Sequence, residues 1–400
     1  MSAIVGVYRR DGQAVDRVDL ERMTENLAHR GPDAAGVWND GPVGLGHRML
    51  WTTPESLHER LPLTSKSDDL VITADARIDN RDELITALGL AQWSHGGITD
   101  SELILRAYER WGEDSPKRLL GDFAFVVWDE RRQMLFCARD HCGVKPFYYY
   151  QSARALIFAS EIKALLGMRE VPRRLNPVRV GDYLAGIFED QASTLFRDVF
   201  RLPAGHSMTV RDRQARVQPY CRLDPSREIR LRSDDEYAEA FREHFTEAVR
   251  CRLRSTFQVG SLLSGGLDSS SIVGTARRVL AGAGGARRLH TFSAIFPGLP
   301  QADLKAIDER PFMDAVLAMG GVTPHYVHAD RLGPLSDLDR ILWHEDEAFL
   351  APNLYMHWAL YRAAHQQSVR VLLDGVDGDT TVSHGLEYLA ELVRGGRIGT

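Results

Sequence analysis

The stretch that most constrains this chain is the mostly apolar run Val259–Leu263 leading straight into Ser264-Gly-Gly-Leu-Asp-Ser269. A strand that ends in Ser-Gly-Gly and turns at once into a helix, here the small, Ser-rich start Ser269–Ala276, leaves a concave set of backbone N–H groups. Gly265 and Gly266 let the backbone approach a ligand closely and adopt positive φ. The helix N-terminus behind them offers unpaired donors and the positive end of a dipole. Ser264, Ser269 and Ser270 add hydroxyls. The natural guest is a phosphate or pyrophosphate. Asp268 repels that guest unless a cation such as Mg²⁺ lies between them. The alternative is a glycine turn with a capping Asp or Ser. No Gly-x-x-x-x-Gly-Lys-Ser/Thr loop or Gly-x-Gly-x-x-Gly stands elsewhere in the chain.

Around this loop, strand and helix patterns alternate. Strands are expected at Val259–Leu263, Leu289–Phe296, Gly321–Val327 and Val369–Leu373. Helices are expected at Ser269–Leu280, Asp308–Met319, Leu335–Trp343 and Leu354–Ala364. Such alternation argues for a parallel, doubly wound sheet, whose ligands bind beyond the carboxyl ends of the strands. Two strands end in acidic, glycine-rich turns, Ser264–Asp268 and Asp374-Gly-Val-Asp-Gly-Asp379. Both should open on one edge, where Asp268 and Asp379 can share Mg²⁺ with a triphosphate. The alternative for the second turn is three solvated Asp residues in a loose loop.

The first half reads differently. Short strand patterns dominate: Ser2–Tyr8, Val43–Met49, Leu70–Ala74, Phe123–Trp128, Met134–Ala138, Phe147–Tyr150 and Leu156–Ala159. Phe123–Trp128 is apolar on both alternating faces and should be buried on both. Helices are expected at Asp16–Leu27 and Ser101–Trp111. A layered α+β domain should therefore span 1–215. An arginine-rich linker over 216–232, with Pro219 and Pro225, should precede a second domain over 233–400. Ser233-Asp-Asp-Glu236 forms a capping box, and Tyr237, Phe241, Phe245, Val249 and Leu253 recur as a core stripe. Four hundred residues accommodate both domains, and a net charge of −6 argues against a dedicated nucleic-acid binder. Four scattered cysteines without a Cys-x-x-Cys pair indicate a reducing cytoplasm, and nothing in the pattern indicates a signal peptide or a membrane span.

Several pieces of the first half resemble the glutaminase half of asparagine synthetases: Met1-Ser-Ala-Ile-Val-Gly6, His29-Arg-Gly-Pro-Asp33, Gly46-His-Arg48, Gly121-Asp-Phe-Ala-Phe125, Arg139–Tyr148 and Ser160–Leu165, in the family's order. The resemblance implies an N-terminal-nucleophile amidotransferase fold, an αββα sandwich. The family's nucleophile is a cysteine exposed after methionine removal. Here that position is Ser2, a poorer nucleophile with its α-amine as base. The family's Asn-Gly-Glu segment aligns with Asp75-Ala76-Arg77, so a carboxylate stands where a neutral amide should stabilise developing negative charge. Arg48 and Asp100 stand at positions resembling the glutamine-binding ones. Read alone, they are a surface cation and the N-cap of the helix from Ser101. These departures imply a glutaminase domain kept as a fold and silent as an enzyme.

The second half resembles the ATP pyrophosphatase-type synthetase domain of the same family through Leu262–Ser269, His290-Thr-Phe-Ser293 and Val371–Asp379. That resemblance implies backbone contacts from Leu263 and Ala294 to adenosine, a nucleotide lined by Asp374 and Gly375, and Mg²⁺ held by Asp268 and Asp379. The family's last motif is Gly-Glu-Gly-x-Asp-Glu, whereas this chain has Val376 and Thr380 at the two Glu positions. Relatives continue past the position of Thr400, so the second domain is expected to be incomplete. The implied activity is an ATP-dependent amide-forming ligase, with aspartate or a related carboxylate as acceptor and glutamine or another amine as donor. Ser2, Asp75 and Val376 together also suit a ring-closing relative such as a lasso-peptide cyclase or β-lactam synthetase. A nucleotide-binding protein without turnover is the other alternative. A homodimer is expected because relatives commonly pair.

Overall fold

Period-two alternation places the side chains of the central first-half strands into two separate cores, and that organises the computed structural model of the chain. It describes residues 1–67, 69–90, 97–211, 214–224, 226–282, 287–376, 378–381 and 393–394. The chain divides into two units, one of residues 1–229 with 345–348, the other of residues 230–344 with 349–400.

The first unit holds two six-stranded antiparallel sheets. One runs Val199–Arg201, Tyr148–Gln151, Ala155–Ala159, Ala3–Arg9, Val43–Met49, Ala34–Asp40 across its width. The other runs Gln214–Pro219, His206–Arg211, Met134–Arg139, Gly121–Asp129, Leu70–Ile78, Leu63–Thr64. Along Ala3–Arg9, Ile4 packs with Val43, Val71 and Val126 in a core made from both sheets. Ala3, Val5 and Val7 point the other way, onto Leu20 and Met23 of the helix Arg17–Glu25 and onto Ile162 and Leu165. Gly121–Asp129 divides likewise. Ala124, Val126 and Trp128 join the shared core. Phe123, Phe125 and Val127 pack with Leu103, Ile104 and Ala107 of the helix Asp100–Trp111. Both phenylalanines are fully buried, so truncation of either to Ala costs about 3–5 kcal/mol.

In the second unit four strands form a parallel sheet in the order Val322–His328, Leu289–Ile295, Gln258–Leu262, Val369–Leu373. Apolar clusters built around Val259 and Val273, and around Phe292 and Leu360, pack against it. Among the described residues no helix is long and apolar enough to cross a membrane.

Three expectations need correction. The linker drawn from residue 216 begins inside a strand: Gln214–Pro219 pairs antiparallel with His206–Arg211, extending the second sheet. Ser233 does cap its helix, accepting from Glu236 N at 3.3 Å, but Glu236 Oε2 accepts from Arg232 N at 2.8 Å rather than from the cap residue. The aromatic stripe of that helix, Asp234–Arg252, is core only toward its end. Val249 and Leu253 are buried and Phe245 packs on them, whereas Tyr237 and Phe241 stay exposed because the core they were expected to join reaches only the later turns.

Candidate functional site

Because the four strands of the second unit run parallel, their carboxyl ends share one edge, and the chain leaves that edge through the two glycine-rich turns. Leu263 follows Gln258–Leu262. It is tied to the neighbouring strand by Leu263 N donating to Phe292 O at 3.0 Å and by the Ser293 hydroxyl donating to Leu263 O at 2.6 Å. Ala294 lies near the end of that same neighbour, Leu289–Ile295. Gly265 has φ +94°, and a Cβ there would lie 3.0 Å from Glu309 O, so glycine is needed on both counts. Ser264 N donates to Ser269 Oγ at 3.2 Å, the two hydroxyls stand 3.0 Å apart, and Gly266 N donates to Ser264 Oγ at 3.2 Å. The hydroxyls of Ser264 and Ser269, expected to face a ligand, therefore close the turn on itself. Ser270 N donates to Gly266 O at 3.0 Å at the start of the helix Leu267–Gly282. Asp268 sits in that helix's first turn, beside donors that have no intrahelical acceptor.

The second turn presses against the first. A Cβ on Gly375 would lie 3.0 Å from Ser269 N, and one on Gly378 only 2.3 Å from Asp268 Cγ. Gly378 opens the short helix Gly378–Thr381, which carries Asp379. Asp374 Oδ1 accepts from Val376 N at 3.1 Å, and the Val376 side chain is exposed. Asp377 and the side chain of Thr380 lie outside the described residues. Among the described residues no group of three or more His, Cys, Asp and Glu side chains is set to hold a metal. The donor set still suits Mg²⁺, which is commonly held by one or two carboxylates together with substrate phosphates.

In the first unit Ser2 is buried, accepts from Leu50 N at 3.0 Å and lies 3.6 Å from Met49 Sδ. Arg48 is not brought to it. Neighbouring residues of a strand face opposite ways, and Arg48 turns to Thr24 O at 3.1 Å and to the Glu25 carboxylate. Asp100 is 4% exposed, paired with Arg81, and accepts from Ile78 N at 3.2 Å. It is not the N-cap either: that is Thr99, whose hydroxyl accepts from Glu102 N.

Asp75, by contrast, sits at the centre of a buried charge cluster, 2.8 Å from Lys145 Nζ and 3.5 Å from Arg30. Burial pushes its carboxyl up, but Lys145 and Arg30 more than offset this and hold it below the usual range. Burial, and then repulsion from Lys145, lower the Met1 α-amine to about 5. Arg30 reaches on to Glu161 at 3.0 Å, which also bonds His29 at 2.9 Å and Lys163. Sequence reasoning assigned no role to Arg30, Lys145 or Met49, although the first two lie inside motifs it singled out.

Residues 1–221 match the family profile for a glutamine amidotransferase domain, and residues 240–398 that for asparagine synthase. A Methanocaldococcus jannaschii protein provisionally named asparagine synthetase (glutamine-hydrolyzing) 2 is 30% identical over 97% of this chain and 76% of its own length. Asparagine synthetase (glutamine-hydrolyzing) 3 of Bacillus subtilis is 30% identical over 78% of this chain. Amidase chry2 of Gibberella zeae is 29% identical over 90% of this chain. The chain spans about half the length of these last two, 51% and 54%.

Proposed function

The chain belongs to the glutamine-hydrolysing asparagine synthetase family, and on that premise we propose that its second unit forms amides at the expense of ATP. In the proposed reaction a carboxylate, aspartate or a related acceptor, attacks the α-phosphorus of ATP. Pyrophosphate leaves, and a nitrogen nucleophile then displaces AMP. The carrying observation is that Ser264–Ser269 and Asp374–Asp379 meet at one strand edge, with Gly378 against Asp268. Backbone N–H groups at the start of Leu267–Gly282 would hold the leaving pyrophosphate. Leu263 and Ala294 would meet the adenosine through backbone, and Asp374 and Gly375 would line the nucleotide. Mg²⁺, held by Asp268 and Asp379, would supply charge neutralisation on the phosphates.

We read the first unit as an N-terminal-nucleophile fold that no longer hydrolyses glutamine. Its position-75 carboxylate is consumed by Lys145 and Arg30. The nitrogen then comes from another amine. Ring closure, one such route, receives no support from the relatives named above. The four free thiols fit a reducing compartment.

Exchange of labelled pyrophosphate into ATP, run with aspartate and a panel of carboxylates and with and without glutamine, tests this reading. Exchange that depends on a carboxylate but not on glutamine is expected. ATP binding without exchange for any carboxylate overturns the ligase, and glutamine turnover lost in Ser2→Ala overturns the silent first unit.

A further inference from the structure

Two helices of the second unit, Leu338–Glu345 and Leu354–Gln366, line an open groove of about 490 Å³ with Asp339, Arg340, Trp343, His344 and Trp358. Small-molecule sites usually measure about 300–1,000 Å³. The walls are aromatic and held in place. The rings of Trp343 and His344 meet edge-on with centroids 4.8 Å apart, and His344 meets Trp358 at 5.2 Å. The Trp358 indole N–H donates to Asp337 Oδ2 at 3.2 Å, and Arg362 donates to the same oxygen at 2.6 Å. Trp343 stays 49% exposed, although an indole has a large apolar area to bury. The two charged residues of the lining differ from the Asp337–Arg362 pair beside them. Among the described residues neither the Asp339 carboxylate nor the Arg340 guanidinium has an ion-pair or hydrogen-bond partner, and both residues are exposed. Helical spacing sets Asp339 beside Trp343, and Arg340 beside Trp343 and His344. One lone anion and one lone cation therefore stand at adjacent positions on an aromatic groove.

These groups select their guest by exclusion. A phosphate is repelled by Asp339, a simple cation is repelled by Arg340, and a hydrocarbon would cover both charges without pairing either. A zwitterion with an apolar body satisfies all of them. We propose that this groove binds a free α-amino acid with an aromatic side chain. Its carboxylate takes the planar fork of the Arg340 guanidinium. Its ammonium meets Asp339 and the electron-rich faces of the indoles. Its ring stacks against Trp343 and Trp358. A residue at the end of a peptide carries only one of the two charges, so the groove prefers the free amino acid. The site goes beyond the ligase reading: it uses neither acidic turn and no ATP, and it stands or falls independently of pyrophosphate exchange.

Phenylalanine titrated calorimetrically into the full chain at pH 7, without ATP, tests it. Saturable binding is expected. Phenylalaninamide, which lacks the carboxylate, and N-acetylphenylalanine, which lacks the ammonium, should each bind about tenfold or more weakly, because each forfeits a charge-assisted contact. Arg340→Met should weaken phenylalanine by about the same factor while leaving phenylalaninamide no weaker, since the group that Arg340 meets is already gone from that ligand. Asp339→Asn should do likewise for phenylalanine and N-acetylphenylalanine. Absence of saturable phenylalanine binding, equal binding of the two single-charge analogues and phenylalanine, or unchanged phenylalanine affinity in a folded Arg340→Met variant overturns the proposal. The first two outcomes need no variant to fold.

Discussion

Replacing Asp75 by Asn should destabilise the protein. The carboxylate is 3% exposed and is shared between Lys145 at 2.8 Å and Arg30 at 3.5 Å. Asp75→Asn leaves two buried cations, Lys145 and Arg30, without their common anion. Removing one partner of a buried pair costs about 3–5 kcal/mol, because the remaining charge stays desolvated. In a unit of this size that lowers Tm by roughly 10 °C. Adding Lys145→Met removes the orphaned ammonium and should recover about 2 kcal/mol, a coupling visible in a double-mutant cycle. The pH dependence adds a second check. Asp75 titrates below its unfolded value, so its contribution is present above about pH 4 and is lost as pH falls through the lower folded pKa. Asp75→Asn should remove that part of the acid limb. Denaturant unfolding at pH 7 measures the first effect, and a series of melting temperatures running below pH 4 measures the second. A Tm within about 2 °C of wild type, or additive single and double variants, would refute the account of the cluster as a charge-balanced unit.

Asp268→Asn and Asp379→Asn should each lower pyrophosphate exchange by about 100-fold or more while shifting stability by less than about 1 kcal/mol, since neither carboxylate is buried. An exchange rate unchanged in both variants removes these residues from the metal. Gly378→Ala should raise the KM for ATP without loss of fold, because its Cβ would sit 2.3 Å from Asp268 Cγ and drive that carboxylate aside; an unaltered KM refutes the contact. Glu161 is pushed up by burial, but its bond to His29 and the charges of Arg30 and Lys163 outweigh this and hold it at about 2. Its stabilisation, about 3 kcal/mol by linkage, should be complete above pH 4.5 and fade toward pH 2. A pH series of melting temperatures comparing wild type with Glu161→Gln reads this, and identical acid limbs would contradict it.

What was legible in the sequence and what was not divides along physical lines. Val369–Leu373 and Val43–Met49 are found at the expected bounds because an apolar run between turn residues is a local signal. The meeting of the two acidic turns was legible for a related reason. Parallel strands must send their carboxyl ends to one edge, so strand order mattered less than strand direction. The helix Pro177–Ala185 was missed although its signals are local: Asn176 as cap, Pro177 in the first turn and Gly186 left-handed at φ +70°. It buries no residue, so the apolar pattern gave it no weight. Arg48 is the instructive error. Strand alternation hands the Ser2 face to Met49 and sends Arg48 to Glu25. The partner of Asp100 was out of reach, because Arg81 stands in another helix and the pair forms only once the two helices are brought together by the fold. The same holds for Asp75. Its residue type shows that a charge has been introduced, but only the fold brings up Lys145 and Arg30. A carboxylate at position 75 reads from sequence as damage to catalysis; in the folded chain it is equally the anion around which two buried cations, Lys145 and Arg30, are arranged.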